Sequence, residues 1–494
     1  MLIWFLPVFL IFLLVGLPVF FALLAAPGLL LWFNGQERDI ALLYRNVFQG
    51  MDSFPLMAIP FFMLAGEMMN RGGITNRLVE FSQALMGHLR GGLAHVNILS
   101  SMLFAGLSGS AVADTSALGS MLIPAMEKQG YSRKFAAAIT AASSVIGPII
   151  PPSGIMIIYA YVMGESVAAL FLAGIVPGIL IGGGLMLMTH LMAGRYNFPK
   201  AERIVNTDQT VGKFENVLAR GLARLNMIGL IYILFSLVKL IIGIEFAPNV
   251  WLMLAVFAVM SELIFIRARR RMSEPMRVVF KRAVVPLQTP IIILGGILGG
   301  VFTPTEASAI AVAYAVFVAF FILRSMRLSD LPEVLRKSAL TSAVVLLLVG
   351  AAMAFKTVVS LSHAPEQLAG IILGLSENPL ILLFLINILL FIVGMFLDAG
   401  PAIIILGPIL GPIFTDLGVD SVHFAIIMSV NLTVGLATPP MGLVLFVASS
   451  VSGERVETIA KAILPFLAVE ILVIFLITYF PAISMTIPRL TGFA

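Results

Sequence analysis

Uncharged apolar stretches recur along the chain at the length needed to cross lipid. The first, Met1–Phe33, carries no charge and is interrupted only at Gly16-Leu17-Pro18, which favours two short spans over one long one. About 30 Å of hydrocarbon takes roughly 20 apolar residues of helix. Within lipid the backbone can satisfy itself only as a helix or a closed barrel, and runs of this length are helical runs. Further spans are expected near 53–70, 92–126, 135–163, 166–193, 226–244, 250–266, 286–302, 305–323, 339–360, 378–413, 422–450 and 458–480. The start of the chain has no basic leader and no small-residue cleavage site, so it reads as a span and not a signal peptide.

Composition narrows the function classes. Only 11% of the 494 residues are charged and 60% are hydrophobic, whereas soluble domains are about 25% charged. A disordered chain, a cytosolic enzyme and a nucleic-acid-binding module are all excluded. The net charge of +5 marks cytoplasmic loops of a polytopic membrane protein. With no cysteine, disulfides, thiol catalysis and cysteine-held metals are excluded.

The halves of the chain repeat each other. A shift of 288 residues superimposes Gly106 on Gly394, Gly119 on Gly407, Pro124 on Pro412 and Gly147 on Gly435. In the same register Pro151 and Pro152 meet Pro439 and Pro440, Gly154 meets Gly442, and Pro177 meets Pro465. Roughly one such coincidence is expected by chance. Glycine and proline dictate where a backbone bends, so the halves share their irregularities.

Charge orients the halves oppositely. Arg71–Arg90 and Glu127–Lys134 carry six Lys/Arg, while the corresponding 361–378 and 415–421 carry none and hold Glu366, Glu377, Asp416 and Asp420. Basic loops stay cytoplasmic, which makes this an inverted-topology repeat of the kind found in secondary transporters. The first repeat is expected over 1–193, with an in-plane arm at 71–90, a re-entrant hairpin near 106–126 and a broken helix at 135–163. The second is expected over 286–480, with an arm near 361–376, a hairpin at 394–413 and a broken helix at 422–450, followed by a tail, 481–494. Between them, 194–285 holds basic cytoplasmic segments around an extra hairpin near 226–266, and the run Arg267–Arg282 contains seven Lys/Arg. Both termini are expected outside.

Each half has a segment broken by prolines in mid-membrane: Ser143–Ser153 and Asn431–Met441. Proline removes a donor and strips nearby carbonyls of helical partners, and such carbonyls must line a cavity or bind something. Together with Ser, Thr and Asn oxygens they suit Na+, while the half-helix after each Pro-Pro pair offers amides to an anionic substrate. Ser143, Ser144, Ser153 and Asp398 are the side chains expected to meet that substrate. Asp398, at the second hairpin tip, is favoured because it adjoins the expected cavity, and intramembrane acids are functional candidates by default. Asp114 and Glu306 are equally well read as helix caps. Lys239, Glu262 and Glu470 are expected to snorkel from span ends, and Lys356 and His363 to lie at the interface. There is no P-loop, no H-E-x-x-H and no metal spacing among the five histidines, so an enzyme is not expected.

Residues Gly106–Met126, Ala142–Ile155, Gly300–Ala307, Gly394–Pro401 and Asn431–Gly442 together resemble the large permease subunit of tripartite ATP-independent periplasmic (TRAP) transporters. The likeness covers almost the whole chain outside about 200–285. It implies an all-α, elevator-type, Na+-coupled importer of organic acids in the bacterial inner membrane. It also implies a small four-helix membrane subunit, here a separate chain, and a periplasmic substrate-binding protein. In that family picture one Na+ site joins Ser108, Gly109 and Ser110 to Ser143, Gly147 and Pro151. A second joins the Asp398, Ala399 and Gly400 tip to Gly435, Thr438 and Met441. The extra hairpin near 226–266 departs from the usual large subunit. Other readings are a stand-alone anion/Na+ symporter, a channel, and an intramembrane enzyme using Asp114 and Asp398, whose positions are not equivalent in the repeat.

Overall fold

The computed structural model describes residues 4–195, 198, 211–242, 250–361, 370, 374, 376 and 378–493. Among them the secondary structure is helical. Among the described residues, eight helices are long and apolar enough to cross a membrane. The chain opens with two short helices, α1 (Phe5–Leu14) and α2 (Val19–Phe33), divided at Gly16. Next come α3 (Glu37–Met51) and α4 (Ala58–Arg71), bent by 61° across the Pro55 turn. A span was expected only over 53–70, so α3 is an addition. It lies along α15 (Leu331–Leu361), where Gly50 meets Met353 and Gly350 meets the Val47 carbonyl, and small residues let the two backbones close.

The first arm is α5 (Ile74–Met86), which packs on α6 (Gly92–Ser108) and α13 (Glu274–Leu298). Arg77 pairs with Glu215 of α11 (Lys213–Ile242), and Arg282 with Glu80 at 3.2 Å, tying this arm to the basic middle of the chain. The matching second arm, about 361–376, lies almost wholly outside the described residues, as do the turn 243–249 and His363. The expected extra hairpin is α11 and α12 (Val250–Arg271), joined by the Arg224–Glu262 ion pair. Glu262 is thus exposed and paired. A short α14 (Pro304–Phe317) follows α13 and is started by a capping box between Thr303 and Glu306. This settles Glu306 as a cap.

Both halves then run through the same five helices. In the first, α6 and α7 (Ala111–Lys128) form a hairpin, α8 (Arg133–Ser144) and α9 (Gly154–Met163) flank a break, and α10 (Val167–Arg195) follows. In the second these are α16 (Pro379–Phe396), α17 (Ala399–Asp416), α18 (Ser421–Gly435), α19 (Leu443–Ser452) and α20 (Val456–Tyr479). Each hairpin begins earlier than the glycines suggest, because its first arm is a full helix. The tips fall at Gly109-Ser110 and Leu397-Asp398. The tail carries a further helix, α21 (Ala482–Thr491).

The halves interlock reciprocally: α9 packs on α17, and α19 packs on α7. Glycines make both crossings close. A β-carbon at Gly411 would lie 2.4 Å from Met163 Cε, and one at Gly119 would lie 3.4 Å from Val451 Cγ1. One expectation fails outright. Glu470 does not snorkel: it sits deep in α20, fully buried, with neither carboxylate oxygen hydrogen-bonded.

Candidate ion and substrate site

The first hairpin turns at Gly109, whose φ of +61° is a conformation glycine adopts without penalty. Ser110 then starts α7, its hydroxyl accepting from the Ala113 amide at 3.4 Å. This turn rests on the first break. A β-carbon on Gly109 would stand 2.7 Å from the Pro152 carbonyl oxygen, so no larger residue fits between tip and break. Both Pro-Pro bonds, Pro151–Pro152 and Pro439–Pro440, are cis.

Asp114 lies one turn into α7. It is fully buried, and Ser108 donates its hydroxyl to Oδ1. Oδ2 has no hydrogen-bond partner and lies against Gly147, where a β-carbon would come within 2.3 Å. Among the described residues nothing donates to the carbonyls of Gly147 or Pro151 either. A buried carboxylate oxygen and unpaired carbonyls in one place are costly unless something cationic or a donor is shared among them. The structure therefore sets Ser108, Ser110 and Gly147 directly against Asp114, a residue whose sequence position alone left it open as a cap, while Gly109 of the same tip lies against Pro152 and Ser153 of the break. The cap is Ser110, not Asp114.

Ser143 and Ser144 point elsewhere. The Ser143 hydroxyl, fully buried, meets Ser101 Oγ at 2.8 Å, Asn97 Oδ1 at 3.3 Å and the Thr140 carbonyl at 3.2 Å. Ser144 donates to the Thr140 carbonyl at 2.6 Å. The Ser143 contacts with Ser101 and Asn97 hold α8 against α6, whereas the bonds to Thr140 lie within α8. Asn431, in register with Ser143, does the same in the second half: it donates to Asn387 Oδ1 of α16 at 2.6 Å. Ser153 caps α9, accepting from the Met156 amide at 3.3 Å and donating to the Pro148 carbonyl.

The second break is built differently. Gly435 and Gly394 bring two backbones into contact, a β-carbon on Gly435 falling 2.5 Å from Gly394 Cα. Asp398 Oδ1 accepts from the Ala399 amide at 2.8 Å, capping α17, and its side chain is exposed at the tip. Ala399 is buried and Gly400 faces Ile158 of α9. Thr438 donates to the Val434 carbonyl at 2.9 Å. Met441 replaces Ser153 in the repeat, so α19 starts at Gly442 with no side chain capping it. Pro440, Met441 and Leu443 are exposed, whereas Pro151 to Ser153 are buried. The accessible half-helix end is the second one.

Lys356 reaches from α15 to the Val162 carbonyl at the C-terminal end of α9, where a cation is favoured. Among the described residues no group of three His, Cys, Asp or Glu could hold a transition metal.

Residues 6–483 match the family model described as "Tripartite ATP-independent periplasmic transporter, DctM component". The protein YgiK of Salmonella typhimurium is 40% identical over 484 residues, covering 98% of this chain and 96% of that protein. The sialic acid TRAP transporter large permease protein SiaM of Vibrio cholerae is 34% identical, covering 96% and 95%. The C4-dicarboxylate TRAP transporter large permease protein DctM of Pseudomonas aeruginosa is also 34% identical, covering 94% and 92%. Among solved structures, the YdaH transporter of Alcanivorax borkumensis shares the fold, with a TM-score of 0.53 at 16% identity over 90% of this chain and 89% of that one.

Proposed function

The chain belongs to the DctM component family of tripartite ATP-independent periplasmic transporters, and from that premise we propose that it couples Na+ entry to the import of organic acid anions. As a large permease of this family it is a multi-pass membrane protein of secondary organic-acid transport, and its relatives are permeases, not enzymes. One observation carries the coupling: the Asp114 carboxylate presents an unpartnered oxygen to Gly147 where the first hairpin tip meets the break. Na+ is a hard cation that takes carbonyl, hydroxyl and carboxylate oxygens, and this is the set assembled there. The second ion site is Asp398, Ala399 and Gly400 with Gly435, Thr438 and Met441.

The substrate carboxylate lies at the exposed start of α19, which no side chain caps. Helix N-termini attract anions through free amides and the helix dipole. Asp398 then accepts a substrate hydroxyl or shares a cation, since two carboxylates repel. Ser143 fixes α8 against α6, Ser144 bonds back within α8, and Ser153 shapes the first break. Transport proceeds as an elevator: the two hairpins and broken helices, interlocked through α9–α17 and α7–α19, move as one body against the remaining helices. A small membrane subunit and a periplasmic binding protein complete the transporter in the bacterial inner membrane, with both termini periplasmic.

Uptake of labelled C4-dicarboxylates, sialic acid and sugar acids into vesicles tests this, with and without the binding protein. Import that requires an inward Na+ gradient and the binding protein is expected. Equal uptake in choline medium would remove the coupling, and equal uptake without the binding protein would favour a stand-alone symporter.

A further inference from the structure

Helix α12 changes character along its length. Residues 250–266 carry one charge, Glu262, and that is paired with Arg224 of α11. Four arginines then follow within five residues: Arg267, Arg269, Arg270 and Arg271. Where the two parts join, Leu263, Ile264, Ile266, Arg267, Arg270 and Arg271 line a groove of about 530 Å³. Helical spacing explains the grouping, because 263, 267, 270 and 271 fall on one face. The apolar half is bare: Leu263 is 61% and Ile266 49% exposed. Arg267, Arg270 and Arg271 have no carboxylate partner among the described residues. More positive charge stands behind them, for Lys281 lies in the field of Arg220, Arg269 and Arg277.

We propose that this groove is a binding site for an anionic phospholipid of the cytoplasmic leaflet. The acyl chain lies on Leu263, Ile264 and Ile266, and the phosphate is held by Arg267, Arg270 and Arg271. Each half of the groove demands one half of that ligand. Three clustered guanidinium groups need a multivalent or strongly anionic acceptor, and their planar forks match phosphate oxygens in pairs. Exposed leucine and isoleucine directly below need hydrocarbon, which a free anion does not supply. The depth agrees, since the arginines begin where an apolar span of 17 residues ends, at headgroup level on the basic, cytoplasmic side. Positive-inside orientation by itself requires only charge in a loop. It does not require that the charge share a groove with uncovered aliphatic side chains. The site lies on the α11–α12 hairpin, apart from the hairpin tips and breaks of the candidate ion site, so it fastens that hairpin to lipid independently of ion or substrate binding.

Native mass spectrometry of the detergent-purified full chain tests this, with added phosphatidylglycerol, cardiolipin or phosphatidylethanolamine. The wild type should retain the two anionic lipids in preference to the zwitterionic one. Each arginine changed to Gln should weaken that retention by roughly fivefold, with Arg267→Gln/Arg270→Gln/Arg271→Gln abolishing the preference. Leu263→Asn keeps every charge and should also lower retention, which gives an independent reading if the triple variant does not accumulate. Equal retention of all three lipids by the wild type would overturn the proposal. So would anionic-lipid retention unchanged in both Arg270→Gln and Leu263→Asn, or displacement of the lipid by inorganic phosphate at equal concentration.

Discussion

The Asp114 carboxylate closes on Gly147 so tightly that a β-carbon at residue 147 would lie 2.3 Å from its Oδ2. The two residues come from different elements, a hairpin arm and a broken helix, and their contact joins tip to break. Glycine is required at 147 for that approach. We expect Gly147→Ala to abolish ion-dependent uptake. Because Ala must displace the carboxylate or the break, the same variant should also lose thermal stability. Unchanged uptake would separate this contact from the site.

Asp398→Asn separates chemistry from capping. The amide oxygen can still accept from the Ala399 amide, so α17 keeps its start. Normal insertion with strongly reduced uptake is expected. Full uptake per inserted molecule with a lower melting temperature would make Asp398 a cap alone.

The paired helix locks give a different signature. Ser143→Ala removes a hydroxyl shared with Ser101 and Asn97 and leaves buried polar atoms short of a partner. Asn431→Ala does the same to Asn387. Each should cost roughly 1–3 kcal/mol of stability. Substrate selectivity should stay as in the wild type, and a change in selectivity at normal stability would place Ser143 in the substrate site.

Glu470 has no hydrogen-bond partner for either oxygen and is fully buried. Burying an unpaired ionisable group is unfavourable, so Glu470→Leu should raise the melting temperature. If it lowers it, a group in the folded protein depends on that carboxyl.

Topology has its own reporter, because the chain contains no cysteine. Lys128 and Asp416 end corresponding hairpin arms and are both exposed. Single cysteines there should react with an impermeant maleimide from opposite sides of the membrane, Lys128→Cys from the cytoplasm. Labelling from one side would refute the inverted repeat.

What the sequence disclosed was the part governed by local backbone chemistry. Gly109, Pro151-Pro152 and Pro439-Pro440 act on their own neighbours, so the breaks and turns were readable from spacing. The register of 288 even pairs Ser143 with Asn431, which prove to make equivalent locks. Direction and depth were not readable. Asp114 could face a cap or a cavity until α7 was laid on α8, and Glu470 looked like a span-end residue until α20 was packed. Ser143 carries a hydroxyl suited to an ion, but its rotamer is chosen by Asn97 and Ser101, distant in sequence. The uncapped α19 came from a single departure in the repeat, Met441 where the first half has Ser153, and its meaning depended on exposure.

In the proposed coupling, Na+ binds where the first hairpin tip meets the break, with Asp114 as a ligand. A ligand that binds only the folded state stabilises it in proportion to the logarithm of its excess over Kd. The direct measurement is therefore the melting temperature of the purified chain titrated with NaCl, against choline chloride at matched ionic strength. A rise with Na+ alone in the wild type, lost in Asp114→Asn, is the predicted result. The same rise in choline, or an undiminished Na+ response in Asp114→Asn, would contradict it.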